Sequence, residues 1–171
     1  MKKLLLSAAI AVLGFTSVKA QDANNGSALS KGSWVIEANT GSWATGNTAF
    51  SLLSVDGSTI WSVGADAGYF VSDNLAIKAG LGYADADEID GTLVYKVGAK
   101  YYLGGEFPVG VDFTGSSVDG NNANWVGIQG GYAWFVADNV SIEPTIRYNV
   151  TLDDQKADSA FQGLIGFAFH F

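Results

Sequence analysis

The chain has 171 residues, with 22 glycines, ten Phe, seven Tyr, five Trp, two prolines and no cysteine. Nine basic against 17 acidic residues give a formal charge of −8, which excludes a phosphate-tracking nucleic-acid binder. The lack of cysteine excludes a disulfide framework, so stability has to come from pairing and burial.

Lys2 and Lys3 open the chain with positive charge. An apolar stretch follows from Leu4 to Phe15, and Val18-Lys19-Ala20 forms a small-residue cleavage site before Gln21. This pattern predicts a secretory signal at 1–20, removed near Ala20, since the apolar stretch is shorter than the ~20 residues of a spanning helix. Its removal leaves six bases against 17 acids. Residues 21–31 are small and polar without periodicity, and read as a flexible lead. Residues 32–171 form one domain of suitable size.

From Gly32 onward apolar residues recur with period two, the signature of strands with one greasy face. Trp34, Ile36, Ala38 and Thr40 make the first such face. Trp61, Val63, Ala65, Ala67, Tyr69 and Val71 make the second, and Leu75, Ile77, Ala79, Leu81 and Tyr83 the third. Then come Leu93, Tyr95, Val97, Ala99, Tyr101 and Leu103; Phe107, Val109, Val111 and Phe113; Val126, Ile128, Tyr132, Trp134 and Val136; and Val140, Ile142, Ile146, Tyr148 and Val150. The eighth strand carries Phe161, Gly163, Ile165, Phe167, Phe169 and Phe171. An even count of strands with no later spanning helix predicts an all-β chain, an eight-stranded antiparallel up-and-down transmembrane β-barrel.

The connections alternate in length as that architecture requires. Residues 72–74, 104–106 and 137–139 are short turns, whereas 41–57, 85–91, 115–123 and 152–158 are longer and polar, and are expected outside. Within the first of these, Phe50, Leu52 and Ser54 alternate with Ser51, Leu53 and Val55 before Asp56-Gly57, a strong hairpin signal. Residues 48–55 therefore read as a hairpin extending the second strand, with a ten-stranded barrel as the alternative.

Phe70-Val-Ser-Asp-Asn-Leu-Ala-Ile77 returns as Phe135-Val-Ala-Asp-Asn-Val-Ser-Ile142. With the phrase from Gly68 to Ile77, the signal and the terminal Phe171, the chain resembles the small outer-membrane β-barrel domain family of Gram-negative bacteria, part of a porin-like superfamily. The resemblance implies an outer-membrane location, contact with membrane lipid and lipopolysaccharide, and assembly by machinery that reads the last strand through Phe167, Phe169 and Phe171. It implies no single activity, because such families include adhesins, small channels and barrels of unknown role.

If the apolar faces meet lipid, the aromatics gather in two belts, as such barrels require. Trp61, Tyr83, Tyr95, Phe113, Tyr148 and Phe161 fall at the outer end. Tyr69, Tyr101, Phe107, Trp134, Phe169 and Phe171 fall at the periplasmic end. The competing reading, a soluble lipocalin-like barrel, leaves the other face unexplained. That face carries Glu37, Asp66, Asp112 and Glu143 with Lys78, Lys96, Lys100 and Arg147. Eight strands leave an interior only wide enough for side chains, so four acids and four bases predict a neutral interior ion network.

The chemistry of an enzyme is sparse. His170 is the sole histidine, and Ser141 with Glu143 is the one nearby guess at triad partners. With no cysteine, a zinc site has too few ligands. Asp85, Asp87, Glu88 and Asp90 cluster before Gly91, but their spacing departs from a calcium loop and Lys96 stands where its last Glu belongs. No catalytic residue, cofactor or specific metal site is expected. The expected role is structural or interactive through the outer loops, with an unidentified loop ligand. A narrow channel or carrier of small or apolar solutes is the alternative, and a lipid-modifying enzyme the third reading.

Overall fold

The computed structural model describes residues 28–87 and 89–171. The signal and most of the lead lie outside them. Ten strands follow in chain order: β1 (Trp34–Asn39), β2 (Ser51–Val55), β3 (Ser58–Ser72), β4 (Leu75–Ala86), β5 (Ile89–Leu103), β6 (Phe107–Val118), β7 (Asn121–Gly131), β8 (Trp134–Ala137), β9 (Val140–Thr151) and β10 (Ala160–His170). Every pairing between these strands is antiparallel. The ring runs β1, β3, β4, β5, β6, β7, β9, β10 and returns to β1, so eight positions close it.

The other two strands share positions already counted. β8 pairs the same strand as β7, through Trp134↔Ile142, after a break at Tyr132 and Ala133. There Tyr132 N–H donates to Pro144 O and Ala133 N–H to Glu106 O. β2 pairs β3 above the stretch that β1 pairs. The ladder that sets Trp34 against Tyr69 would, if continued, set residue 41 against Ser62, but Ser51 stands there. One strand is thus interrupted by ten residues, 41–50. A ten-stranded barrel is not formed.

The excursion turns into the lumen. A 3-10 turn spans Trp43–Thr45, and Gly46, Asn47, Thr48 and Ala49 are buried. This overturns the expectation that the whole of 41–57 lies outside. The physical reason is the pair Gly64↔Gly82 on facing strands. A Cβ on Gly64 would lie 2.8 Å from the Thr48 carbonyl carbon, so absent side chains let one backbone lie on another.

Two further loops shrink to turns. β4 and β5 leave only residues 87 and 88 between them, and β6 and β7 only Asp119 and Gly120. Polar residues there are strand residues that overshoot the apolar band, so polarity was mistaken for irregularity. The connection after β9 is a true loop. At the other end, the expected flexible lead is packed by residue 29: Leu29 is buried and its carbonyl accepts from Asn74 N–H at 2.7 Å. Lys31 N–H donates to Asp73 Oδ1 at 2.9 Å.

Outward residues match the alternating faces. Trp34 rests on Tyr69 and Phe107 on Tyr132 at one end, with centroids 5.1 and 5.4 Å apart. Trp61 meets Tyr83 at 5.8 Å and Tyr95 meets Phe113 at 6.3 Å at the other. Tyr69 and Trp61 are eight residues apart on β3, about 20 Å along the axis of a tilted barrel.

Candidate functional site: a layered lumen and a seam

The inward side chains form three layers. At the end where β1 begins, Leu29, Val35, Phe70, Ala76, Tyr102, Ala133 and Ala168 make an apolar floor, with Phe135 packed against it. His170 sits among these rings, 5.4 Å from Phe135 and 6.1 Å from Phe70 by centroid.

Above the floor, the structure brings six of the eight predicted charges into one chain of contacts. Lys100 Nζ donates to Glu37 Oε1 at 2.8 Å and also to Glu143. Lys78 joins Glu37 to Asp66, the latter at 3.2 Å. Lys96 reaches Asp66 at 3.3 Å. The last two charges form a separate pair: Arg147 bonds Asp112 bidentately at 2.6 and 2.5 Å, and Gln129 Oε1 at 2.8 Å. Period two places all eight inside, and neutrality follows from three acids against three bases plus one pair. Withdrawing such ions from water costs several kcal/mol each unless every charge is answered, and here each one is.

The excursion supplies the rest of that answer. Lys96 Nζ donates to Asn47 Oδ1 at 2.8 Å and Thr48 Oγ1 at 3.0 Å, while Thr48 itself donates to Asp66. Asn39 Nδ2 donates to Thr48 O at 3.2 Å. Above it Gly46, in the left-handed region at φ 72°, lies under the Trp125 ring. Trp125 Nε1 donates to Asp158 O at 3.0 Å, which ties the outer lid to the loop after β9. A void of about 20 Å³ remains among the charged groups, room for a single water.

Sequence reasoning missed Asn47, Thr48 and Trp125 as lumen residues, whereas the alternation of strand faces puts Thr114, Gln129 and Asn149 inside. The available signal was the pair of inward glycines on β3 and β4, which leave space that no side chain fills. Gly127 is another such position, because a Cβ there would strike the Arg147 guanidinium.

The three residues considered for catalysis do come together. Ser141 Oγ donates to Glu143 Oε1 at 2.8 Å and lies 3.4 Å from His170 Nε2. The order is wrong for a triad: the carboxylate addresses the serine instead of orienting the imidazole. Tyr102 O–H also donates to Glu143, at 2.9 Å, and His170 is only 1% exposed, so the cluster is an interior seal. Asp87 of the acidic group accepts from Thr59 N–H at 2.7 Å. Glu88 and the side chain of Asp90 lie outside what the structure describes, and among the described residues no group of three or more His, Cys, Asp and Glu is placed to hold a metal.

The wall has a flaw on one side. β10 pairs β1 only up to Gly166↔Asn39, and β2 pairs only β3. Thr40 N–H donates to Ile165 O at 3.1 Å and Ile165 N–H to Thr40 Oγ1 at 3.0 Å. Above that, β10 and β2 stand as two strand edges separated by a seam. From inside, Gln162 backs the seam, accepting from Ser42 N–H at 2.9 Å and donating to Thr45 Oγ1 at 2.7 Å. Outside, a shallow groove of about 710 Å³ adjoins it, lined by Thr40, Gly130, Pro144, Ile146, Gly163 and Ile165 among others.

These features can be set beside known structures. The N-terminal β-barrel domain of Pseudomonas aeruginosa OprF aligns over 82% of this chain and 98% of its own length, with 15% identity and a TM-score of 0.57. A de novo designed transmembrane β-barrel covers the same share of this chain and 92% of its own, at 17% identity and a TM-score of 0.43. No family model and no curated protein matches the sequence. The fold is an eight-stranded antiparallel up-and-down transmembrane β-barrel, similar to the first of these in architecture.

Proposed function

We propose that the protein resides in an outer membrane as a closed barrel and acts through its surfaces, in a structural or adhesive role, not by conducting solutes. The observation behind this reading is the filled lumen: apolar floor, neutral ion network, backbone plug and Trp125 lid, with space for about one water. An eight-stranded ring has little bore to begin with. In this reading the outward apolar faces meet membrane lipid and lipopolysaccharide, the end carrying Leu29 faces the periplasm, and barrel-assembly machinery inserts the chain.

The outer end then presents the β2–β3 hairpin, whose turn residues Asp56 and Gly57 take φ 51° and 89°, the primed-turn geometry. Leu53 and Val55 there, beyond the level of Trp61, are exposed. An apolar strand edge standing above the belt is an interaction surface. No catalytic role is assigned. The test is a planar-bilayer recording of purified protein alongside fractionation of cells. A filled barrel gives no stable porin-sized conductance and sediments with the outer membrane. A steady open pore, or recovery in a soluble fraction, refutes the reading.

A further inference from the structure

We infer that the seam between β2 and β10, with its adjoining groove, is a binding site for one acylated lipid of the surrounding leaflet. This inference rests on the reading that the outer wall faces lipid.

The register defines the seam. β10 pairs β1 from Val35↔His170 to Asn39↔Gly166. Allowing for the ten inserted residues, β2 lies where Leu52 would oppose Gly163 and Ser54 would oppose Phe161. Yet β2 and β10 are not paired. Since Ile165 directs its N–H and C=O toward Thr40, period two directs those of Gly163 and Phe161 into the seam. Among the described residues, no strand pairs with them there.

Phe161 stands at the outer aromatic belt and Gly163 one step deeper. That is the level where a lipid passes from polar ester or amide linkages to hydrocarbon. Bare backbone groups at this depth require a hydrogen-bonding partner, and ester, amide and hydroxyl groups supply both donors and acceptors. Below and beside them the groove is apolar. Gly130, Ile146 and Gly163 stand in one cross-strand row, with Pro144 and Ile165 in the next. A Cβ on Gly130 or Gly163 would meet nothing within 4 Å, so the two glycines form a trough beside Ile146, which is 61% exposed. An acyl chain fits that trough, and its linkage region fits the edge. Access stops at the wall, because Gln162, Ser42 and Thr45 close the seam from within.

The experiment uses the full chain, refolded into phosphatidylethanolamine and phosphatidylglycerol vesicles doped with a photoreactive phosphatidylethanolamine. After irradiation, labelled peptides are mapped by mass spectrometry. Labelling is expected to concentrate on β9 and β10. It should fall about tenfold in Gly163→Leu and in Gly130→Leu, the factor that about two lost methylene contacts represent. Ala99→Leu, on the opposite wall, should leave it unchanged. Heat-modifiable migration of each variant reads folding separately. A variant set that folds and inserts but labels evenly around the ring overturns the lipid site alone, whereas failure of the wild type to insert overturns the membrane reading itself. Two cysteine tests complete the set. Rapid internal disulfide formation in Leu52→Cys/Gly163→Cys within vesicles would show that β2 closes the seam. Intermolecular dimers of Gly163→Cys would show that a second copy occupies it. Either result overturns the proposal; slow, inefficient crosslinking in both supports it.

Discussion

Replacing Arg147 with alanine should destabilise the barrel severely. Its guanidinium makes two bonds to Asp112, at 2.6 and 2.5 Å, and a third to Gln129 at 2.8 Å, and the side chain is fully enclosed. Truncation removes the positive partner but leaves the Asp112 carboxylate in the lumen. Breaking a buried pair on one side costs about 3 to 5 kcal/mol, a shift of at least about a hundredfold in the folding equilibrium. Urea titration of protein refolded in lipid vesicles, followed by heat-modifiable migration, measures it. Adding Asp112→Asn to Arg147→Ala should recover much of the loss, because the stranded charge is the main penalty. A single-variant loss below about 1 kcal/mol, the scale of a solvated surface pair, would refute the dry-lumen argument. So would a double variant no better than the single one.

Ala99→Arg places a cation on the lipid face and should cost about 2 to 4 kcal/mol in the same titration, although the neighbouring Lys100 sits comfortably inside; equal stability would reverse the faces. Gly64→Val should displace residues 41–50, since its Cβ would meet the Thr48 backbone at 2.8 Å, and protease cleavage within that segment, absent from wild type, would report the release. Deleting Phe171 removes both backbone bonds to Trp34, at 2.7 and 2.9 Å, and should lower the yield of heat-modifiable barrel in membranes; a normal yield would contradict it.

What the sequence revealed and what it hid follow one physical distinction. Strand faces are legible because lipid and lumen impose opposite demands on alternate residues, and that alternation alone puts Glu37, Asp66 and Arg147 on one side. The partners were less legible: nothing local says that Lys100 bridges Glu37 and Glu143 while Arg147 takes Asp112 alone, since pairing depends on strand stagger. Loop boundaries at 85–91 and 115–123 were misplaced because strands outside the bilayer lose their apolar face but keep their hydrogen bonds. The inward path of 41–50 was hidden because its signal is spread over three places, the polar Asn47 and Thr48 and the distant glycines at 64 and 82.

The plug and the seam have a common origin. A strand that ran straight from Thr40 into Ser51 would offer β10 a continuous partner, and the wall would close to its rim. Diverting ten residues inward gives Lys96 and Asp66 the side chains of Asn47 and Thr48 and fills a space that inward glycines keep open, but it takes the same residues out of the wall. The interior is satisfied at the expense of the edge. A membrane protein tolerates irregular backbone where protein or water surrounds it, not where hydrocarbon does, so the diverted segment is stable inside while the edge it leaves at Gly163 still needs a partner. Filling the lumen and exposing the seam are therefore one structural choice, and a variant that returns 41–50 to the wall should lose both features together.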